Sequence, residues 1–140
     1  MTALANPASW LTGYIADLPT PFDEDGELDL DAFAALCERQ INAGASAIVV
    51  GETAGEAPTL TATERLRLIR CAAKTARGRA RIIAGAGSNS TDRAIELTMR
   101  AKRAGADAVL SVVPYYNKPM RAGSWQQSRN SAWARLRCFR

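Results

Sequence analysis

The chain contains no histidine. That removes His-based catalytic triads, most zinc sites and the commonest general base near neutral pH. Its three cysteines, Cys37, Cys71 and Cys138, are odd in number and none are paired at metal-ligand spacing. A disulfide framework is therefore not expected, and no metal or cofactor is predicted. Cys37 and Cys71 fall inside helical patterns and read as free thiols buried as small hydrophobes. No apolar run reaches the ~18 residues of a membrane span. Residues 1–11 lack the basic start and apolar core of a signal peptide, so the expectation is a cytoplasmic protein with no membrane partner. Acidic side chains are missing from one region: residues 121–140 carry five arginines and no Asp or Glu. The first 120 residues then hold 13 basic and 14 acidic side chains, so the net charge of +4 belongs to the tail. A polyanion partner would need a basic stripe on the folded body. The sequence shows none, and nucleic acid is not an expected partner.

What is present reads as strand, helix, strand, helix, strand, helix, strand. Tyr14–Leu18 is a short strand closed by Pro19 and Pro21. The acidic stretch from Asp23 to Gly26 is a solvated turn. Residues 28–43 show helical spacing, with Phe33, Leu36, Cys37 and Ile41 on one face and Gly44 as the stop. Residues 46–50 are a continuous apolar strand. Thr61 and Glu64 form a capping box that opens a helix with Leu66, Ile69, Ala73 and Ala76 on one face. Residues 81–84 are the third strand. Ser90 or Thr91 caps a third helix, lined by Ala94, Leu97, Ala101 and Ala104 and ended by Gly105. Residues 107–113 form the fourth strand.

Unbroken apolar runs such as SAIVV and AVLSVV suit strands covered on both faces, as in a parallel sheet wrapped by helices. An internal echo, AGASAIVV at 43–50 and AGADAVLSVV at 104–113, repeats a helix end, a glycine and a buried strand. Strand starts recur roughly every 30 residues, the size of a βα unit. Both a doubly wound sheet and a (β/α)8 barrel use such units, and spacing alone does not choose between them.

Two blocks stand where parallel sheets place ligand groups, just after a strand. Gly51-Glu52-Thr53-Ala54-Gly55-Glu56 follows the second strand; its glycines allow close backbone approach and Thr53 offers a hydroxyl that donates and accepts. Read from the residues alone, it is also a tight turn with a structural threonine. Pro114-Tyr115-Tyr116-Asn117-Lys118-Pro119 follows the fourth strand. A phenol there can relay a proton to a hydroxyl in reach, or pack against a neighbouring subunit. The run Gly85–Ser90 lacks the third glycine of a dinucleotide fingerprint and reads as a turn and cap.

At these blocks the sequence resembles the dihydrodipicolinate synthase and N-acetylneuraminate lyase family, from about Gly13 to Met120. GYIADLPTPFDEDGELD, SAIVVGETAGEAPTLTATE, RIIAGAGSNSTDRAIELT and AGADAVLSVVPYYNKP occur in family order. PYYNKP is closer to the synthase branch. The resemblance implies a (β/α)8 TIM barrel, usually tetrameric, here as a truncated half barrel of about four parallel strands and three helices. It implies a lysine Schiff base with pyruvate and condensation with an aldehyde, aspartate semialdehyde in the synthases of lysine biosynthesis. By the same resemblance Thr53 and Tyr116 pass protons, Thr53 and Ala54 bind substrate, and Tyr115 and Tyr116 meet the neighbouring subunit.

The sequence departs from that pattern in three places. Ala54 replaces the second of two threonines and Glu52 replaces a glycine, which leaves room for a related 2-keto acid aldolase; Ala54 still offers its backbone amide to a carboxylate. Ala57, Pro58, Ala62, Arg65 and Arg93 match the lysine-feedback site of some members poorly, so no inhibition by lysine is expected. The family's nucleophilic lysine lies on a sixth strand, whereas Lys74, Lys102 and Lys118 are the only lysines here. The expected organisation is an arm over residues 1–12, half a barrel over 13–120, and a basic tail over 121–140. The tail reads as the product of a frameshift near residues 121–124, with a deliberately short relative as the alternative. Whether the chain is itself an enzyme stays open. The expectation is a fragment inactive alone, with a non-catalytic half-barrel partner of a full-length subunit as the rival. Open sheet edges predict either homo-oligomers or aggregation.

Overall fold

A computed structural model describes residues 11–115 and Gly123. Its elements are β1 (Ile15–Asp17), α1 (Leu30–Asn42), β2 (Ala47–Val50), α2 (Ala62–Ala76), β3 (Arg81–Gly85), α3 (Thr91–Arg103) and β4 (Ala108–Leu110). All pairings are parallel and the strand order follows the chain, β1-β2-β3-β4. A doubly wound sheet would reverse its order at a switch point. This sheet has no reversal among the described residues, and its three helices pack on one face. It is an arc of a singly wound barrel.

Strand alternation makes that layering. Ala16, Leu18, Ile48, Val50, Ile82 and Ala84 point toward the helices and share one core with Phe33, Cys37, Leu68, Ile69, Ala72 and Ala101. Ile15, Ala47, Val49, Ile83 and Ala108 form a second, smaller cluster on the opposite face.

The helix starts follow from their caps. Asp29 accepts from the Ala32 amide. Thr61 and Glu64 form the reciprocal capping box. Ser90, rather than Thr91, caps α3. The helix α1 starts at Leu30, two residues later than its spacing predicts, because Leu28 pairs with Phe22 across the acidic turn. Asp23 holds that turn by accepting from the amides of Asp25 and Glu27. Cys37 and Cys71 are free thiols, one buried and one half-buried. Burial pushes the Cys37 thiol up to about 12, with the neighbouring Cys71 adding to it.

Two expectations need correction. The apolar stripe of α2 is wider than predicted and shifted: Arg65, Leu68, Ile69, Ala72 and Ala76 are buried, while Leu66 and Ala73 are half-buried flanks. Strand β4 is shorter than 107–113 and is not covered on both faces. Leu110, Val112 and Val113 are exposed. Among the described residues β4 has one neighbouring strand, so nothing there covers its outer side. No helix among the described residues is long and apolar enough to cross a membrane. The tail, residues 121–140, lies outside the described residues apart from Gly123.

Candidate functional site

The chain leaves β2 through a turn that lies directly on the ends of β1 and β3. Gly51 sits at φ +62, a conformation glycine adopts without a Cβ penalty. A methyl group on Gly85 would collide with the Gly51 carbonyl, and one on Gly55 would meet Gly51 and the Leu18 carbonyl oxygen at 3.0–3.1 Å. The two glycines therefore permit backbone-to-backbone contact between three strand ends. Buried Thr20 locks the arrangement from below, its Oγ1 donating to the Gly55 carbonyl at 2.8 Å.

Arg65, in the first turn of α2, clamps the turn from the other side. One Nη donates to Gly85 O at 3.0 Å and the other to Ala57 O at 2.6 Å. Its Nε is buried without a partner among the described residues. A buried guanidinium is costly unless its donors are satisfied, so this side chain is structural in two of its three nitrogens. Sequence reasoning placed Arg65 only as a poor match to a lysine-feedback contact. A usable signal was present, since 65, 68, 69, 72 and 76 are one helical face.

Glu52 is buried beside it. Burial pushes its carboxyl above the usual carboxylate range, the Asp17 carboxylate pushes it further, and the Arg65 guanidinium opposes both. Burial likewise lowers Arg65, with Glu52 opposing. Asp17, at the end of β1, accepts from the Ala54 amide through Oδ2 at 3.2 Å. The amide expected to be open to a ligand carboxylate is thus already engaged by a side chain.

Thr53 is exposed at the apex of the turn, and its hydroxyl has no partner among the described residues. Tyr115 is exposed too, and its backbone amide donates to Asn89 Oδ1 at 2.9 Å, which ties the chain after β4 to the loop after β3. Glu52, Thr53, Arg65, Arg93 and Tyr115 border one cleft of about 620 Å³, with Leu60, Leu97 and Val112 as apolar wall. The structure therefore brings Thr53, Ala54 and Tyr115 to one end of the sheet; Tyr116 lies outside the described residues. Gly85 ends β3, and residues 86–90 form the turn and cap, with Gly87 giving room for Val112. Among the described residues no group of three or more acidic or cysteine side chains is placed to hold a metal ion.

A second groove, between α1 and α2, carries Arg67, Arg70, Lys74, Arg77 and Arg79, facing Asp31 and Glu38. Arg79 donates both Nη atoms to the Glu38 carboxylate. Three of these basic residues, Arg67, Arg70 and Lys74, lie on α2, and Arg77 and Arg79 follow its end.

Comparison with known proteins agrees with this arrangement. The chain is 48% identical over 124 residues to 4-hydroxy-tetrahydrodipicolinate synthase of Nitrosospira multiformis, covering 89% of this chain and 41% of that protein. The dihydrodipicolinate synthase structure from Aquifex aeolicus superposes with a TM-score of 0.83 at 46% identity, covering 87% of this chain and 41% of the other. The chloride-inhibited synthase of Acinetobacter baumannii complexed with pyruvate gives a TM-score of 0.84 at 44% identity, over 87% and 42%. The chain thus spans about two-fifths of the length of the relatives it matches. Residues 10–132 match the dihydrodipicolinate synthetase family. With four parallel strands, three helices on one face and the Thr53 turn at the strand ends, the chain belongs to that family.

Proposed function

We propose that the Thr53–Gly55 turn, with Tyr115 and Tyr116 after β4, is the proton-handling half of a pyruvate site. The enzyme class is a Schiff-base synthase that condenses pyruvate with aspartate semialdehyde, as in 4-hydroxy-tetrahydrodipicolinate synthase. One observation carries this reading. A threonine hydroxyl with no partner among the described residues and Tyr115 border the same cleft at the carboxyl ends of parallel strands, where barrels place their chemistry. In this reading Thr53 and Tyr116 pass a proton between them, and the Ala54 amide addresses the substrate carboxylate. Ala54 in place of a hydroxyl residue, together with buried Glu52 in the cleft, favours as second reading a related 2-keto acid aldolase with another aldehyde.

The nucleophile is proposed to lie outside these 140 residues. A Schiff-base lysine must be unprotonated and desolvated beside the substrate. Lys74 and Lys102 sit near the carboxyl ends of α2 and α3. Helices in βα units run back along the sheet, so those ends are remote from the Thr53 turn. Lys118 lies outside the described residues. The chain alone is therefore proposed to be inactive, and to associate or aggregate through its sheet edges. Reduction with borohydride in the presence of pyruvate checks the first point by mass spectrometry. An unmodified chain is expected, and a pyruvyl adduct on any of the three lysines would refute it.

A further inference from the structure

We propose that Asp17 is an internal competitor for the carboxylate position of the turn: its side chain occupies the Ala54 amide, so that a substrate carboxylate binds there more weakly than it would to the open amide. The inference rests on the proposed reading of Ala54 as a carboxylate-binding group.

Three observations converge. The first is placement. Ala16 and Leu18 point into the helix-side core, so strand alternation sends Asp17 to the opposite face, along with Ile15. The second is contact. Asp17 Oδ2 lies 3.2 Å from the Ala54 nitrogen, across 37 residues of sequence, and the register of β1 on β2 holds it there through the Leu18 amide bonded to Val49 O. A carboxylate oxygen on that amide shows that the turn presents the N–H in a geometry a carboxylate can use. The third is charge. Glu52, buried two residues before Ala54, is close enough to Asp17 for their like charges to act on each other. Arg65, the cation buried beside Glu52, is anchored to two backbone carbonyls.

An incoming carboxylate must therefore displace Asp17 from the amide and approach a site that already holds two acids. A neutral carbonyl compound pays neither cost. Asp17 is exposed, so the displacement is a side-chain rotation and leaves the strand intact.

The test is a titration of the isotopically labelled 140-residue chain with pyruvate, following the Ala54 amide by NMR, in the natural protein, Asp17→Asn and Asp17→Ala. Pyruvamide serves as the neutral probe. Asp17→Ala is expected to bind pyruvate about fivefold or more tightly than the natural chain, the weight of one like charge ~4 Å away in water. Asp17→Asn, which keeps an acceptor but loses the charge, should fall between. Pyruvamide should respond much less to either change. Equal pyruvate affinity in all three chains, with the Ala54 amide shifting in each, would overturn the competitor role while leaving the carboxylate reading intact. No Ala54 response in any folded chain would refute that reading, and the competitor role with it. Asp17→Asn is isosteric and keeps the test valid should Asp17→Ala unfold.

Discussion

Strands β2 and β4 grow from nearly the same text, AGASAIVV and AGADAVLSVV, and end in opposite surroundings. All four residues of β2 are buried, whereas β4 runs from half-buried to exposed. The local sequence makes a helix end, a glycine at positive φ and a parallel strand in both cases. Burial comes from the neighbours. Strand β2 lies between β1 and β3 and beneath α1 and α2, while β4 pairs with β3 alone among the described residues. Apolarity of a strand records the environment of the whole sheet, not only of the part in view.

Substitutions can break this comparison at several strengths. Gly85→Ala drives a methyl group into the Gly51 carbonyl, where neither backbone can yield easily. It should cost about 3 kcal/mol or more, read as a loss of melting temperature, and should disorder the Thr53 turn. Ile48→Ala, at a fully buried position of β2, should cost about 3 kcal/mol, whereas Leu110→Ala on β4 should cost less than about 0.5 kcal/mol. Equal costs in denaturant melts would mean that β4 is covered in solution, as edge-to-edge association of chains would cover it; sedimentation of the same samples distinguishes the two cases. Thr61→Ala removes the cap of α2 and should cost about 1 kcal/mol.

The smallest effect is a pH dependence. The folded-state pKa of Glu52 is raised, so its ionisation opposes folding. Below the unfolded-state value both states hold the proton and the group contributes nothing. As pH rises from there through the raised folded value, stability is lost. Glu52→Gln should therefore be more stable than the natural chain at neutral pH, with the advantage fading as pH falls toward about 4.3. Thermal melts at several pH values would show it, and a destabilised variant at neutral pH would mean that the attraction to Arg65 outweighs burial.

Much of the fold was legible because it is local. The Thr61–Glu64 box and the glycines after α1 and α3 mark boundaries within a few residues, and the period of the apolar positions separates strand from helix. Thr53 was legible as a strand-end residue for the same reason. What escaped depends on contacts across the sheet. The bond from Ala54 to Asp17 spans β1 and β2, and the need for glycine at 85 comes from Gly51, a strand away. The buried role of Arg65 escaped because an arginine on an apolar face reads as solvated until its carbonyl partners are placed. The exposure of β4 escaped because its text is that of a covered strand.

In the proposed function, residues 13–120 supply the Thr53 half of a pyruvate site whose nucleophile lies outside them. The most direct measurement joins residues 1–115 to the remaining barrel of a close relative and follows condensation of pyruvate with aspartate semialdehyde, with Thr53 and with Thr53→Val. Turnover by the joined protein, falling about a hundredfold or more in Thr53→Val as loss of a proton-transfer group predicts, would bear the account out. Turnover unchanged by Thr53→Val in a folded protein would contradict it.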